Sequence, residues 1–282
     1  MFFAKGRLVS AATTYELFCR TAPNFLQFVY SDPSLRPDQP DPTLISIPHL
    51  LSSSRYGPAY YALMDIKGAM IYGVPQLVDY NTDIGLFHVE PHPVELVECL
   101  PGEFLVLLAK INARRDQMLP EDWRGIEQDL VSWEPRPKFE PKGLESWKLI
   151  AWRAIQETWR HTLLMYLYLA VCGVPTDDPR IQSSLRQIFQ LVGVIRRQDP
   201  PASNVHFLSQ CLIAGICSRT EKQRRSVRER LGCAAETRFW TFRGPEIVPV
   251  LDNLWLGAGR GGQPVTWDDY VHSRRTVLPL SN

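Results

Sequence analysis

The sequence predicts an all-α protein, an irregular bundle of packed antiparallel helix pairs joined by long Pro-rich loops. Three observations carry this. Apolar residues recur at three- and four-residue steps through two neighbouring segments, Ser146–Cys172 and Arg180–Ile195. No proline falls inside either segment; Gly173 and Pro175 end the first and Pro179 precedes the second. No run alternates apolar and polar residues with the period of two that a half-buried strand needs. In the first segment Trp152, Ile155, Trp159, Leu163, Tyr166 and Ala170 share one helical face. Arg153, Gln156, Glu157, Arg160 and His161 give its first half a polar back, while the second half is apolar all round and should be buried on most sides. Gly173 and Pro175 stop it. Asp178 suits a cap and Pro179 a first helical position, after which Ile181, Leu185, Ile188, Val192 and Ile195 form a second apolar stripe.

The remaining elements follow the same logic. A helix is expected from about Ser10 to Cys19, interrupted before Pro23, with Phe25–Tyr30 forming an apolar turn or second short helix. Residues 31–55 are rich in Pro, Asp and Ser and read as a long loop. A helix starts near Pro58 and ends at Gly73, with Pro75 beyond it. The segment to Leu100 is irregular, broken by Pro75, Pro91 and Pro93. Phe104, Leu107, Leu108 and Ile111 mark a helix over Gly102–Gln117, and Pro120 begins another that carries Trp123, Ile126 and Leu130. Residues 134–143 read as a linker inside a single domain spanning 1–282, because the aromatic residues on both sides need a shared core. After Pro200-Pro201, a helix starts at Phe207 and continues, increasingly charged, to Gly232. Pro245 opens a shorter helix through Val248, Leu251 and Trp255, and Thr266 with Asp269 forms a capping box for a last one. No internal repeat of constant period is present, so a regular solenoid is not expected.

Composition narrows the classes. The chain has 282 residues, 45% of them hydrophobic, enough for a sizeable core. A formal net charge of +1 argues against an extended nucleic-acid surface. None of the six cysteines forms a Cys-x-x-Cys pair, which excludes zinc-knuckle and dithiol redox motifs. Most lie among apolar neighbours, as in Leu17-Phe18-Cys19, and a reducing intracellular setting is expected. Met-Phe-Phe-Ala-Lys-Gly at the start lacks the sustained apolar core of a secretory signal. The longest apolar run, Leu163 to Cys172, is about half of the ~20 residues a membrane span requires, so a soluble protein is expected.

Several motifs invite a chemical reading. Gly257-Ala-Gly-Arg-Gly-Gly262 has the spacing of a dinucleotide fingerprint, but its mechanism needs a strand before it and a helix after it, whereas here a helix precedes it and Gln263-Pro264 follows. A connecting loop is expected. His88 and His92 flank Glu90 as zinc ligands on a helix would, yet Pro91 and Pro93 oppose that helix, leaving two solvated histidines in a loop. Glu157 and His161 lie four apart on a helix, as a carboxylate orienting a general base would, or as an ordinary surface pair. The basic run Arg219–Arg230 would serve nuclear import or touch phosphate; Glu221 and Glu229 dilute it, and a solvated helix face is the simpler reading. Trp147, Trp152, Trp159 and Trp255 would line a ligand cavity or, more simply, fill the core. No residue is thereby assigned to catalysis, to a metal or to DNA, no ligand-binding residue is identified, and no cofactor is implied.

From Trp147 onward the sequence resembles the fungal-specific transcription factor domain, the helical regulatory region of fungal binuclear zinc-cluster regulators. The matching pieces are Gln156–Tyr168, Cys172–Gln182, Cys211–Ile216 with Arg224, Val227, Arg228 and Leu231, then Val250–Trp255 and Val265–Val271. Ala59–Ile66 and the segment from Gly102 are similar to the upstream part. The resemblance implies a nuclear, non-enzymatic domain that modulates a linked DNA-binding module, contacts protein partners of the transcription machinery and takes a small-molecule effector. The zinc-cluster module itself needs six closely spaced thiolates, which this sequence does not contain. DNA contact is therefore expected only through a missing or separate module, and Met1 reads either as an internal methionine of a truncated gene model or as the start of a family member without that module. A stand-alone helical scaffold in the cytoplasm, and a helical enzyme using Glu157 and His161, are the alternatives.

Overall fold

The computed structural model describes residues 10–36, 41–82, 90–117, 123–136, 146–194, 207–232 and 242–280. The start of the helix expected at Pro120, residues 137–143 of the expected linker, His88, Ile195, Pro200-Pro201 and Cys233 lie outside them. The described fold is all-α, its only strands being a two-residue parallel pair among these residues. The chain groups into two compact units, residues 21–163 and residues 1–20 with 164–282.

In the unit of residues 21–163, Pro23 sits in the first turn of its first helix, Ala22–Ser31 (α2). The preceding helix, Ala11–Cys19 (α1), belongs to the other unit, and Ser10 caps it by accepting from the Thr13 amide. Residues 31–55 are not one loop. A 3₁₀ turn at Pro33–Leu35, a strand at Ile45–Ser46 (β1) and a helix at Ile47–Ser52 (α3) occupy much of them. The signal for α3 is local: Ser46 caps it and Pro48 lies in its first turn, both tolerated at a helix start. Tyr56–Tyr72 (α4) runs unbroken from Ala62 to Tyr72 in buried residues and ends at Gly73, whose φ of 60° is the left-handed cap glycine supplies most readily. Tyr80–Asn81 (β2) pairs with β1, Ile45 opposite Tyr80. Pro93–Glu98 (α5), Gly102–Gln117 (α6), Trp123–Val131 (α7) and Ser146–Ala170 (α8) follow in chain order, so the stretch between Val74 and Leu100 holds a helix after all.

Two of the 17 residues of α4, Asp65 and Lys67, are charged, and the fold answers each. Asp65 accepts from the Leu77 amide at 2.9 Å and from the Tyr80 hydroxyl at 3.0 Å, which ties the β2 segment to the helix. Burial still pushes its carboxyl up to about 6, against the pull of those two hydrogen bonds. Lys67 reaches Glu98.

The other unit contains the end of α8, then Pro179–Val194 (α9), Leu208–Ile216 (α10), Glu221–Leu231 (α11), Gly244–Leu256 (α12) and Trp267–Val277 (α13). Asp178 caps α9 by accepting from the Arg180 amide, as expected. The single helix expected from Phe207 to Gly232 is two. Thr220 and Gln223 form a reciprocal capping box, so the chain stops at Ile216, turns, and restarts at Glu221. The second box, Thr266 with Asp269, opens α13 as the sequence indicates. Gly215 of α10 lies under Leu251 of α12: a Cβ there would meet the Leu251 Cδ1 at 2.7 Å and the Val227 Cγ1 at 3.0 Å, so any larger residue would force those side chains to move.

Candidate functional site

The densest group of buried chemistry lies in the unit of residues 21–163. The Lys67 ammonium sits 2.7 Å from Glu98 Oε2, both side chains buried, and 5.8 Å from the centre of the Trp159 ring. It thus binds a charge on one side and an aromatic face on the other. His92 is the N-cap of α5: its Nδ1 accepts from the Val94 amide at 3.1 Å, while its ring stacks against Tyr56 at 6.3 Å. Burial lowers its tendency to protonate, so the ring is the neutral form. The expectation of a solvated loop histidine was wrong for His92, because Pro93 starts a helix at that point instead of preventing one. Next to it, Arg136 bridges Glu95 and Glu103, and Trp133 packs on Phe104 at 4.5 Å. Burial lifts the Glu95 carboxyl to about 7 although Arg136 pulls the other way, and lifts Glu103 as well.

Hydrogen-bonding capacity in this group is not fully used. Glu98 Oε1, His92 Nε2, Trp159 Nε1, Glu103 Oε2 and Trp133 Nε1 are buried with no protein partner. Gln156, one turn before Trp159 on α8, leaves both carboxamide atoms without one. Buried polar groups are nearly always paired, so a cluster of such exceptions marks a place of special chemistry. Lys67 and Glu98 belong to no motif. Their signal in the sequence is a charge set inside an apolar helical run, Met64-Asp-Ile-Lys67-Gly-Ala-Met-Ile.

The other unit builds a different arrangement from the basic run. Arg224 is buried, donates to the Ser218 carbonyl at 3.2 Å and the Gly259 carbonyl at 2.7 Å, and lies over the Trp255 ring. Arg219 donates to the Gly262 carbonyl and Arg230 to the Val192 carbonyl. Arg228 pairs with Asp252 and Glu221 and also covers Trp255, whose indole N–H donates to the Gly215 carbonyl at 3.0 Å. The reading of a solvated face therefore fails for Arg219, Arg224, Arg228 and Arg230; Lys222 and Arg225 remain exposed. Beside this lattice α12 and α13 enclose an open cleft of about 500 Å³ lined by residues that include Leu256, Gly257, Asp269 and His272.

The other motifs resolve simply. Gly257–Gly262 follows α12 and forms a 3₁₀ turn with Gly261 and Gly262 at positive φ, so no strand feeds it. Glu157 pairs with Arg160 at 2.7 Å rather than orienting an imidazole. Burial and the Arg160 charge draw His161 down to about 4, and its Nδ1 has no partner. Trp152, Trp159 and Trp255 are core, but Trp147 is 38% exposed. Cys19, Cys99, Cys172, Cys211 and Cys217 are free thiols. Among the described residues no three His, Cys, Asp or Glu side chains come together as metal ligands, and no helix is long and apolar enough to cross a membrane.

No curated protein and no solved structure matches the chain. The model of the fungal specific transcription factor domain matches residues 108–279, more than half of the sequence. The match runs from within α6 to just past α13, so it takes in Trp159 and the whole arginine lattice, while Lys67, His92 and Glu98 precede it. On that match, carried by an all-helical fold, the chain belongs to the fungal specific transcription factor domain family.

Proposed function

We propose that the chain is a regulatory domain of a nuclear transcription regulator, acting over residues 1–282 as one unit of function. It works through contacts with protein partners of the transcription machinery and through sensing a small effector, and it leaves DNA reading to a separate module. The family match over residues 108–279 is the observation that carries this reading. Two features of the fold support it. The arginines that would have formed a phosphate-binding face are committed to carbonyls and carboxylates within the protein, which speaks against direct DNA contact. Glu157 and His161 are not arranged as a base and its orienting acid, which favours a regulatory over a catalytic role.

The test is a fusion of the whole chain to a heterologous sequence-specific DNA-binding module in a fungal reporter strain. The expected result is reporter output that differs from the module alone and that returns to the module's level when the domain is unfolded by mutation of its core. Output equal to the module alone, with the fusion protein present and folded in the nucleus, would overturn the reading. Lys222 and Arg225 are the residues to neutralise in an import test, because both are exposed, whereas changing Arg224, Arg228 or Arg230 would cut contacts within the fold.

A further inference from the structure

We propose that the buried cluster of Lys67, Glu98, His92, Tyr56 and Trp159 binds a small uncharged molecule that carries a hydroxyl or carboxamide on a flat apolar body. This rests on the effector reading above and gives the effector its chemical class. Three buried atoms of this cluster lack protein partners: an acceptor, Glu98 Oε1, and two donors, Trp159 Nε1–H and His92 Nε2–H, the last because His92 Nδ1 accepts from the Val94 amide. The side chains that carry them are at least 95% buried, at 3%, 1% and 4% exposure. Their complement is a group that both donates and accepts. A hydroxyl or a carboxamide does so; an ether or an alkane does not.

Charge sets the second requirement. The Lys67–Glu98 pair is already neutral, and His92, held in its cap and buried, is neutral too. A ligand with a net charge would bring an uncompensated ion into a buried site without a spare counter-charge, which its desolvation opposes. An uncharged ligand avoids it. Shape sets the third. The Tyr56 ring stacks on Tyr60 at 5.5 Å and on His92 at 6.3 Å, and Trp159 presents its face to Lys67, so the group is walled by flat rings. Tyr56 is also the exposed member, 43% accessible, which puts one wall at the protein surface.

The experiment is isothermal titration calorimetry of the full chain with four probes of one shape: benzyl alcohol, benzamide, benzylammonium and benzoate. Saturable binding of the first two is expected, with the charged pair at least tenfold weaker. Trp159→Phe, which keeps a ring and removes the N–H, should weaken benzyl alcohol three- to tenfold. Tyr56→Ala, at an exposed position that leaves the fold intact, should weaken both neutral probes. Binding by none of the four, as ordered water filling the site would give, overturns the proposal. So does equal binding of a charged probe, or unchanged affinity in Trp159→Phe and Tyr56→Ala together. The effector reading fails separately: probes that bind here while the fused reporter ignores both them and Trp159→Phe would leave the site standing and remove its regulatory role.

Discussion

The two units solve the same problem, a cation beside a buried tryptophan, in opposite ways. In the unit of residues 1–20 and 164–282, Arg224 spends its hydrogen bonds on main-chain carbonyls and the Trp255 indole does the same. In the unit of residues 21–163, Lys67 meets the carboxylate of Glu98, and the Trp159 indole meets no partner. Carbonyl oxygens near helix ends and in turns need donors wherever the chain folds, so an arginine placed on them fixes loop geometry at little electrostatic cost. A buried ion pair is different: its desolvation offsets most of its attraction, and it is weak evidence for stability. The first arrangement is explained by folding alone. The second is not, and that contrast is the reason to seek function at Lys67 and Glu98.

The sharpest way to break the comparison is to remove one side of each arrangement. Lys67→Met strands a buried carboxylate and should lower unfolding free energy by about 3–5 kcal/mol, while Lys67→Met with Glu98→Met should recover most of the loss. Chemical denaturation measures both; a double variant no better than the single one would mean the pair is not an isolated unit. Arg224→Met leaves the Ser218 and Gly259 carbonyls without their donor and should cost about 2–3 kcal/mol, with Arg224→Lys recovering little because an ammonium does not reproduce the planar fork. A melting temperature unchanged in Arg224→Met would remove the lattice from the account.

A smaller effect separates the units by pH. The folded-state carboxyl of Glu95 titrates near 7, above the ordinary glutamate value of 4.5, so between those values the folded protein keeps a proton that the unfolded chain releases. Its contribution is present below about 4.5 and is lost as pH rises through 7; Asp65 adds the same sign over a lower window, ending near 6. Stability should therefore fall as pH rises across this range, by on the order of 2 kcal/mol from Glu95, and the Glu95→Gln variant should show a flatter profile. A wild-type profile that rises from pH 5 to 7 would contradict the burial of both groups. The smallest expected effect is Thr220→Ala, about 1 kcal/mol from loss of the box that restarts α11, read by thermal denaturation.

Much of the helical layout was legible because capping and punctuation are local. Ser10, Asp178 and the Thr266–Asp269 box sit where the pattern puts them, and Gly73 ends α4. The misses have local causes as well. Thr220-x-x-Gln223 is a box of the same kind, but it lies inside a continuous charged run and was overridden by that run's helical character. Ser46-Ile-Pro48 is a helix start hidden in proline-rich surroundings, and His92-Pro93 another. The candidate site was far less legible. Glu98 and Lys67 are 31 residues apart, and nothing in either segment announces the other; only the packing of α4 against α5 joins them. Arg224 was read as solvated because sequence shows a charge and not the carbonyls that receive it.

The indole protons of Trp159 and Trp255 test the central contrast most directly. In an assigned ¹⁵N–¹H spectrum of the full chain, the Trp255 Nε1–H should exchange slowly and hold its position as benzyl alcohol is added, being bonded to the Gly215 carbonyl. The Trp159 signal should move along a saturable course on the same addition. A Trp159 resonance that stays fixed while Trp255 shifts, or both staying fixed, would contradict the account.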